Sequence, residues 1–325
     1  MTSPVLVTGA GGFVGLALVE ALLARGETVA AVDAAPLPDA ALAVFASLPG
    51  RLRPIAADAR DEAAMRAAMA GADRMILAAA VTAGPAREMA APEQILSVNV
   101  QAVATAVRLA VEAGLRRVLH LSSGAAYGGA DAGEPVLLED APLHPATLYG
   151  ISKMAGEAVA LRLSALGGLD LVAARLGTCF GPWEYATGLR DTLSPQWQIL
   201  QAALHGEAAV LPRDSVRDWL YVRDAVSGLL ALLDTPALPH RVYNVGNGMP
   251  APLSAFCRSL AAVHPGFTWR IGEPSTIVTY GERPATSITR LLADTPFRPS
   301  FGAAGAAVDW LEFHRRVPAA LRARD

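Results

Sequence analysis

Lysine is almost missing from this chain. Lys and Arg together number 27, and every one of those positions except Lys153 is Arg. Arginine replaces lysine wherever only a positive charge is wanted, yet its guanidinium never gives up a proton and is a fork rather than a compact ammonium. A single retained lysine therefore points to a task that arginine cannot perform. Cysteine is nearly as scarce, and Cys179 and Cys257 lie far apart. That excludes a cysteine metal site and leaves two free thiols in a reducing compartment. No basic block is present, the net charge is −3 and the pI is about 6.1, so nothing recruits nucleic acid or an anionic membrane. No apolar run reaches the ~18 residues that a membrane helix needs, and the amino terminus enters a strand without a charged-then-apolar leader. These absences lead us to expect a cytoplasmic protein without a metal, acting on a small molecule.

What is present is a chain of 325 residues, 53% hydrophobic and 18% charged. It is long enough to bury a sizeable core and, above about 250–300 residues, to add a second lobe. An apolar β run at 4–8 is followed by Gly9, Gly11, Gly12 and Gly15, which open an apolar-periodic helix with Phe13 and Val14 in its first turn. Glycines there permit a tight turn and close backbone approach, so that a pyrophosphate rests on exposed N–H groups at the positive end of a helix. A second strand, 28–33, ends in Asp33. A carboxylate about 20 residues after the glycines accepts from ribose hydroxyls and repels a 2′-phosphate, which favours NAD over NADP. A third strand, 52–57, runs into Asp58 and Ala59, and a helix follows at 61–69. The fourth, 74–79, brings Ala78, Ala79 and Ala80, either small enough to admit a flat ring or a ribose or simply filling the core. A helix at 92–113 carries Asn99, either bonded to a backbone carbonyl near the site or simply buried. The fifth strand, 117–122, delivers Leu121 and Ser123 at its end. Alternating segments of this kind give a doubly wound parallel α/β sheet that binds ligands at the carboxyl ends of its strands.

A helix at 149–166 then opens on Tyr149-x-x-x-Lys153. The i, i+4 spacing puts phenol and ammonium on one face, about 5–6 Å apart at Cβ. An ammonium beside a phenol favours the phenolate, which makes Tyr149 a candidate general acid/base.

Thr8-Gly9-x-x-Gly12-x-x-Gly15, Asp33, Asp58, Ser123 and Tyr149-x-x-x-Lys153, in this order, resemble the extended short-chain dehydrogenase/reductase family from about residue 4 to about residue 315. That group comprises NAD-dependent sugar epimerases, dehydratases and dehydrogenases. The resemblance implies that Tyr149 exchanges the proton of a secondary hydroxyl. Lys153 binds the nicotinamide ribose and lowers the Tyr149 pKa, and Ser123 orients the same oxygen. The cofactor set is then Gly9, Gly11, Gly12, Phe13, Val14, Gly15, Asp33, Asp58, Ala59, Ala78, Ala79, Ala80, Asn99, Leu121, Tyr149, Lys153 and Leu176. The expected organisation is a Rossmann domain over 1–175, with 215–247 returning to it, and a smaller interleaved substrate lobe from 176–214 and 248–325. A homodimer packing helices 92–113 and 149–166 against their symmetry mates is implied as well.

The substrate side departs from the family in informative ways. Dehydratases resemble Thr-Asp-Glu where this chain has Ser123, Gly124 and Ala125, so the acids that handle the leaving water are gone. Nucleotide-sugar members carry a diphosphate-binding Asn where Thr178 stands. Arg217 and Arg283 resemble the family's phosphate contacts, although either suits a carboxylate or a structural acid such as Asp224. Arg190, in the loop 183–194, is either a carboxylate grip or a surface arginine, and Thr192 or Ser194 suits the cap of the next helix. The first reading is an NAD-dependent dehydrogenase of a small sugar or sugar acid. A nucleotide-sugar epimerase with transient hydride transfer stands second, and a noncatalytic NAD-binding regulator third.

Overall fold

The computed structural model describes residues 3–129, 136–186 and 193–317. Seven strands form the central sheet: β1 (Val5–Thr8), β2 (Thr28–Asp33), β3 (Arg51–Ala56), β4 (Arg74–Leu77), β5 (Arg117–Ser123), β6 (Leu171–Leu176) and β7 (Val242–Val245). All pair in parallel, in the order β7-β6-β5-β4-β1-β2-β3. β1 is buried at every position and β5 at all but its last, as expected of parallel strands covered on both faces. The order turns back between β1 and β4, and the crevice at that switch point is where such sheets take ligands. β7 pairs with β6 and so brings the 240s back to the main sheet.

Eleven helices are used below: α1 (Phe13–Ala24), α2 (Asp39–Phe45), α3 (Glu62–Met69), α4 (Pro85–Ala90), α5 (Pro92–Glu112), α6 (Leu148–Gly167), α7 (Pro195–Leu204), α8 (Val222–Asp234), α9 (Leu253–Val263), α10 (Thr289–Asp294) and α11 (Ala303–Arg316). α1, α8 and the later helices cover one face of the sheet, while α3, α5 and α6 cover the other. Trp310 and Phe313, three residues apart on α11, are buried in the core. The sequence pattern gave no helix at α2, α4, α8, α9 or α10; α8 begins directly after the short strand Trp219–Tyr221, with no gap to mark its start.

Two elements differ from expectation for physical reasons. β4 stops at Leu77 because the N–H groups of Ala78 and Ala79 turn to the Thr8 hydroxyl, at 3.2 and 3.3 Å. α5 is broken by a π turn at Ser97–Gln101, which is where Asn99 sits. By length and composition α5 is also apolar enough to cross a membrane, contrary to the expectation that no segment is; here it packs on α6 and α3. Beyond the sheet, Trp219–Tyr221 pairs with Thr178–Phe180, and Val216–Arg217 pairs with Ala251–Pro252. These short pairings carry the chain's second half over the carboxyl ends of β5 and β6.

Candidate active site

The glycine turn is built by exclusion of side chains. Gly9 holds φ +65, and a Cβ there would meet Ala79 Cα at 2.6 Å; one on Gly15 would lie 2.0 Å from the Gly9 carbonyl oxygen. The turn therefore packs backbone to backbone on Ala78 and Ala79, and α1 starts immediately behind it. Gly12 caps α1 without any side-chain hydrogen bond, and no acid occupies the first turn. The positive end of α1 is thus left to an anion. Asp33, ending β2, accepts from the N–H of Gly11 at 2.9 Å and of Ala35 at 3.0 Å, which fixes a carboxylate beside the turn. A dinucleotide fits this set: close backbone for the pyrophosphate and a held acid for the ribose.

Asp58 is different from the expectation in one respect. Its carboxylate is gripped by the Arg60 guanidinium at 2.5 and 2.9 Å and by the Arg60 N–H at 2.8 Å, and that pairing holds its carboxyl below the usual range. Ala59 packs beside it against the α3–α5 core. Asn99 is fully buried: its oxygen accepts from Val81 N–H at 2.8 Å, and its amide donates to Val81 O at 3.0 Å and Ser152 Oγ at 2.9 Å. It therefore pins the stretch that follows Ala78, Ala79 and Ala80 to α6.

Thr147 caps α6, accepting from Gly150 N–H at 3.0 Å. A Cβ on Gly150 would lie 2.6 Å from the Ala125 carbonyl oxygen, so this glycine lets the first turn of α6 close onto the 3-10 turn Gly124–Tyr127. That approach sets the first turn of α6, which carries Tyr149, against the turn that follows Ser123, whose hydroxyl accepts from Ala125 N–H at 3.1 Å and keeps a proton to donate. Lys153 is buried and donates to Leu121 O at 2.5 Å. Burial lowers its ammonium to about 8, and Glu157, one turn further along α6, opposes that fall. Glu157 is itself held by Arg175 at 2.6 Å, and Arg175 also donates to Tyr127 and to Glu139 O. Neither nitrogen of the buried His120 finds a hydrogen-bond partner among the described residues, and burial beside Lys153 keeps that imidazole neutral.

The substrate-side residues converge at the same strand ends. Leu176 lies opposite Ser123 in the sheet register. Arg217 donates to Thr178 Oγ1 at a long 3.5 Å, and its guanidinium lies over the Tyr280 ring at 5.4 Å. Arg283 lies against Gly124, its Nη2 2.9 Å from where a Cβ would stand. Burial and the Arg283 charge press the Arg217 cation down to about 10; burial lowers Arg283 too. Neither guanidinium reaches ion-pair distance of a carboxylate among the described residues. Asp224, weighed as their partner, instead accepts from Ser300 and Phe301 at 2.9–3.0 Å. Arg190 and Thr192 lie outside the described residues, while Ser194 caps α7 through Trp197 N–H at 3.0 Å. Sequence reading missed Arg60, Glu157 and Tyr185. Only Arg60 had a usable local signal, being two residues from Asp58.

A family model described as the NAD dependent epimerase/dehydratase family matches residues 5–246. The chain is 30% identical over 328 residues to dTDP-glucose 4,6-dehydratase of Streptomyces griseus, covering 97% of this chain and 96% of that one. It is 28% identical over 281 residues to UDP-glucuronate 4-epimerase 4 of Arabidopsis thaliana, covering 79% of this chain and 62% of that protein's length. Among solved structures, MoeE5 in complex with UDP-glucuronic acid and NAD superposes with a TM-score of 0.78 at 28% identity, over 96% of this chain and 99% of that one.

Proposed function

Because this chain belongs to the NAD dependent epimerase/dehydratase family and is an NAD-dependent enzyme of the extended short-chain dehydrogenase/reductase type, we propose that it epimerises a secondary hydroxyl on the sugar of a nucleoside diphosphate sugar. The observation that carries this reading is the pair Arg217 and Arg283, two neighbouring cations that make no ion-pair contact among the described residues, with only Asp218 near enough to favour the Arg283 charge, in the cleft that holds Ser123 and Tyr149. Two crowded guanidiniums call for a ligand with more than one negative charge, and a diphosphate offers charge-assisted hydrogen bonds to both. A small neutral sugar, or a sugar acid with one carboxylate, leaves one of them unmatched. This reverses the order reached from sequence, where Thr178 in place of Asn favoured a small sugar or sugar acid. The names of two relatives, one a UDP-glucuronate epimerase and one a complex with UDP-glucuronic acid, support the same ranking. Although the relative from Streptomyces griseus is a dehydratase, Gly124 and Ala125 supply no acid to remove water.

In this reading Ser123 donates to the reacting oxygen and Tyr149 takes its proton. The Lys153 ammonium favours the Tyr149 phenolate and meets the cofactor ribose, with Glu157 helping to keep it charged. NAD, when bound, supplies a reversible hydride acceptor. Gly9 through Gly15 and Asp33 hold its pyrophosphate and ribose, Asp58 and Ala59 border the base, and Asn99 sets the Ala78–Ala80 wall through Val81. Incubation with NAD and UDP-glucuronic acid or UDP-glucose is expected to yield the C4 epimer without net NADH. NADH accumulating on free aldonic, uronic or neutral sugars would restore the dehydrogenase reading, and a dehydrated keto product would show a dehydratase.

A further inference from the structure

Outside the residues just assigned, one contact joins the substrate side of the molecule to the cofactor turn. The Tyr185 hydroxyl donates to Gly11 O at 2.6 Å. The same glycine gives its N–H to Asp33, so its two peptide groups are held from opposite sides. Tyr185 belongs to the segment that begins at Thr178, the hydroxyl that meets Arg217. That segment is fastened along its length. Trp183 donates its indole N–H to Glu20 Oε2 on α1 at 2.7 Å and packs on Phe313 and Phe45, with ring centroids at 4.9 and 5.5 Å. It does so at φ +69, a left-handed backbone that an aromatic residue rarely adopts and that persists only where surrounding contacts over-determine it. Glu184 is buried and takes both the N–H and the hydroxyl of Ser194, at 2.6 and 2.7 Å, tying the segment to the start of α7.

We propose that Tyr185 is a positioning residue that locks the cofactor turn to the substrate segment, so that filling the nucleotide-sugar site slows the release of NAD. The inference rests on the epimerase reading above and gives it a physical need: an enzyme that returns its hydride works only if the cofactor stays through turnover. A ligand gripped by Arg217 and Thr178 stiffens the segment from one end. Tyr185 transmits that to Gly11, whose peptide shapes the pyrophosphate seat, as a coupling between two sites carried by one short element.

The test measures NAD release from the full chain by rapid dilution, with and without UDP, in wild type and in Tyr185→Phe, which keeps the ring and removes only the hydroxyl. One lost hydrogen bond is expected to speed release about 10-fold, and the slowing that UDP causes in wild type is expected to vanish in the variant. Trp183→Phe, which loses the indole donor to Glu20, is expected to move both readouts the same way. Equal release rates, or a UDP effect that survives Tyr185→Phe, would overturn the proposal. A wild-type chain that retains NAD but releases it at one rate with or without UDP also overturns it. One that binds no UDP at all overturns the nucleotide-sugar reading beneath it.

Discussion

Lys153 carries its charge in a place that resists charge. It is buried against the end of β5 with the Leu121 carbonyl for a hydrogen-bond partner, and among the described residues Glu157 is the charge that favours the ammonium. Besides Tyr149, one turn earlier on α6, the titratable groups around it include the neutral His120 on β5 and, through Glu157, Arg175 on β6 and Tyr127 on the 3-10 turn. The sign follows directly. A lysine lowered to about 8 keeps its proton below that pH and loses it above, so activity is expected to decline along an alkaline limb. Glu157→Gln removes the one supporting charge, so the limb moves toward lower pH and activity at pH 8 falls about three- to tenfold. A pH profile of kcat/KM checks this, because a variant that is merely less stable loses activity without moving the limb. At this scale the sequence exposed the lysine and its tyrosine but not Glu157. Acids one turn from a lysine are commonplace on helices, and only burial makes this one matter.

The meeting of α6 with the 3-10 turn after β5 decides whether Tyr149 and Ser123 share a site. Sequence spacing defines each element well: α6 begins within a residue of its expected start because Thr147 offers a side-chain cap. Their approach is not written in either element. It depends on Gly150, which reads as an ordinary helix-weakening glycine until its neighbour is known to be the Ala125 carbonyl. Gly150→Ala is expected to cost about 1–3 kcal/mol of stability through overpacking. It should also lower kcat more than tenfold while NAD affinity stays within about twofold, since the shift opens the proton-transfer site and spares the glycine turn. Thermal unfolding, steady-state kinetics and calorimetry together separate these effects.

Across the whole molecule, Arg217 arrives on a short strand and Arg283 on a distant loop, and the two repel one another. Such a pair is retained against a cost, which an anionic ligand offsets. Arg217→Ala and Arg283→Ala are each expected to weaken UDP binding by about 1.5–3 kcal/mol, the worth of a charge-assisted hydrogen bond. Added salt should weaken wild-type binding more than that of either variant. Titration calorimetry at two ionic strengths measures both, and unchanged UDP affinity in both variants would remove the diphosphate from the cleft.

The sequence by itself determined the doubly wound sheet, the glycine turn and the tyrosine–lysine spacing, because each is built from elements whose signals are short-range. Strand alternation, helical spacing and the size of glycine act over a few residues and leave a pattern in the chain. The tertiary structure alone decided that Asn99 spends its amide on Val81 and Ser152, and that Glu157 supports Lys153 while answering to Arg175. It also decided that neither arginine reaches a carboxylate at ion-pair distance among the described residues, and that Tyr185 rests on Gly11 across 174 residues of chain. Contacts at that separation leave no local periodicity. They follow from which loops the closed sheet brings over the same strand ends, and there the choice among hydroxyl-oxidising chemistries is made.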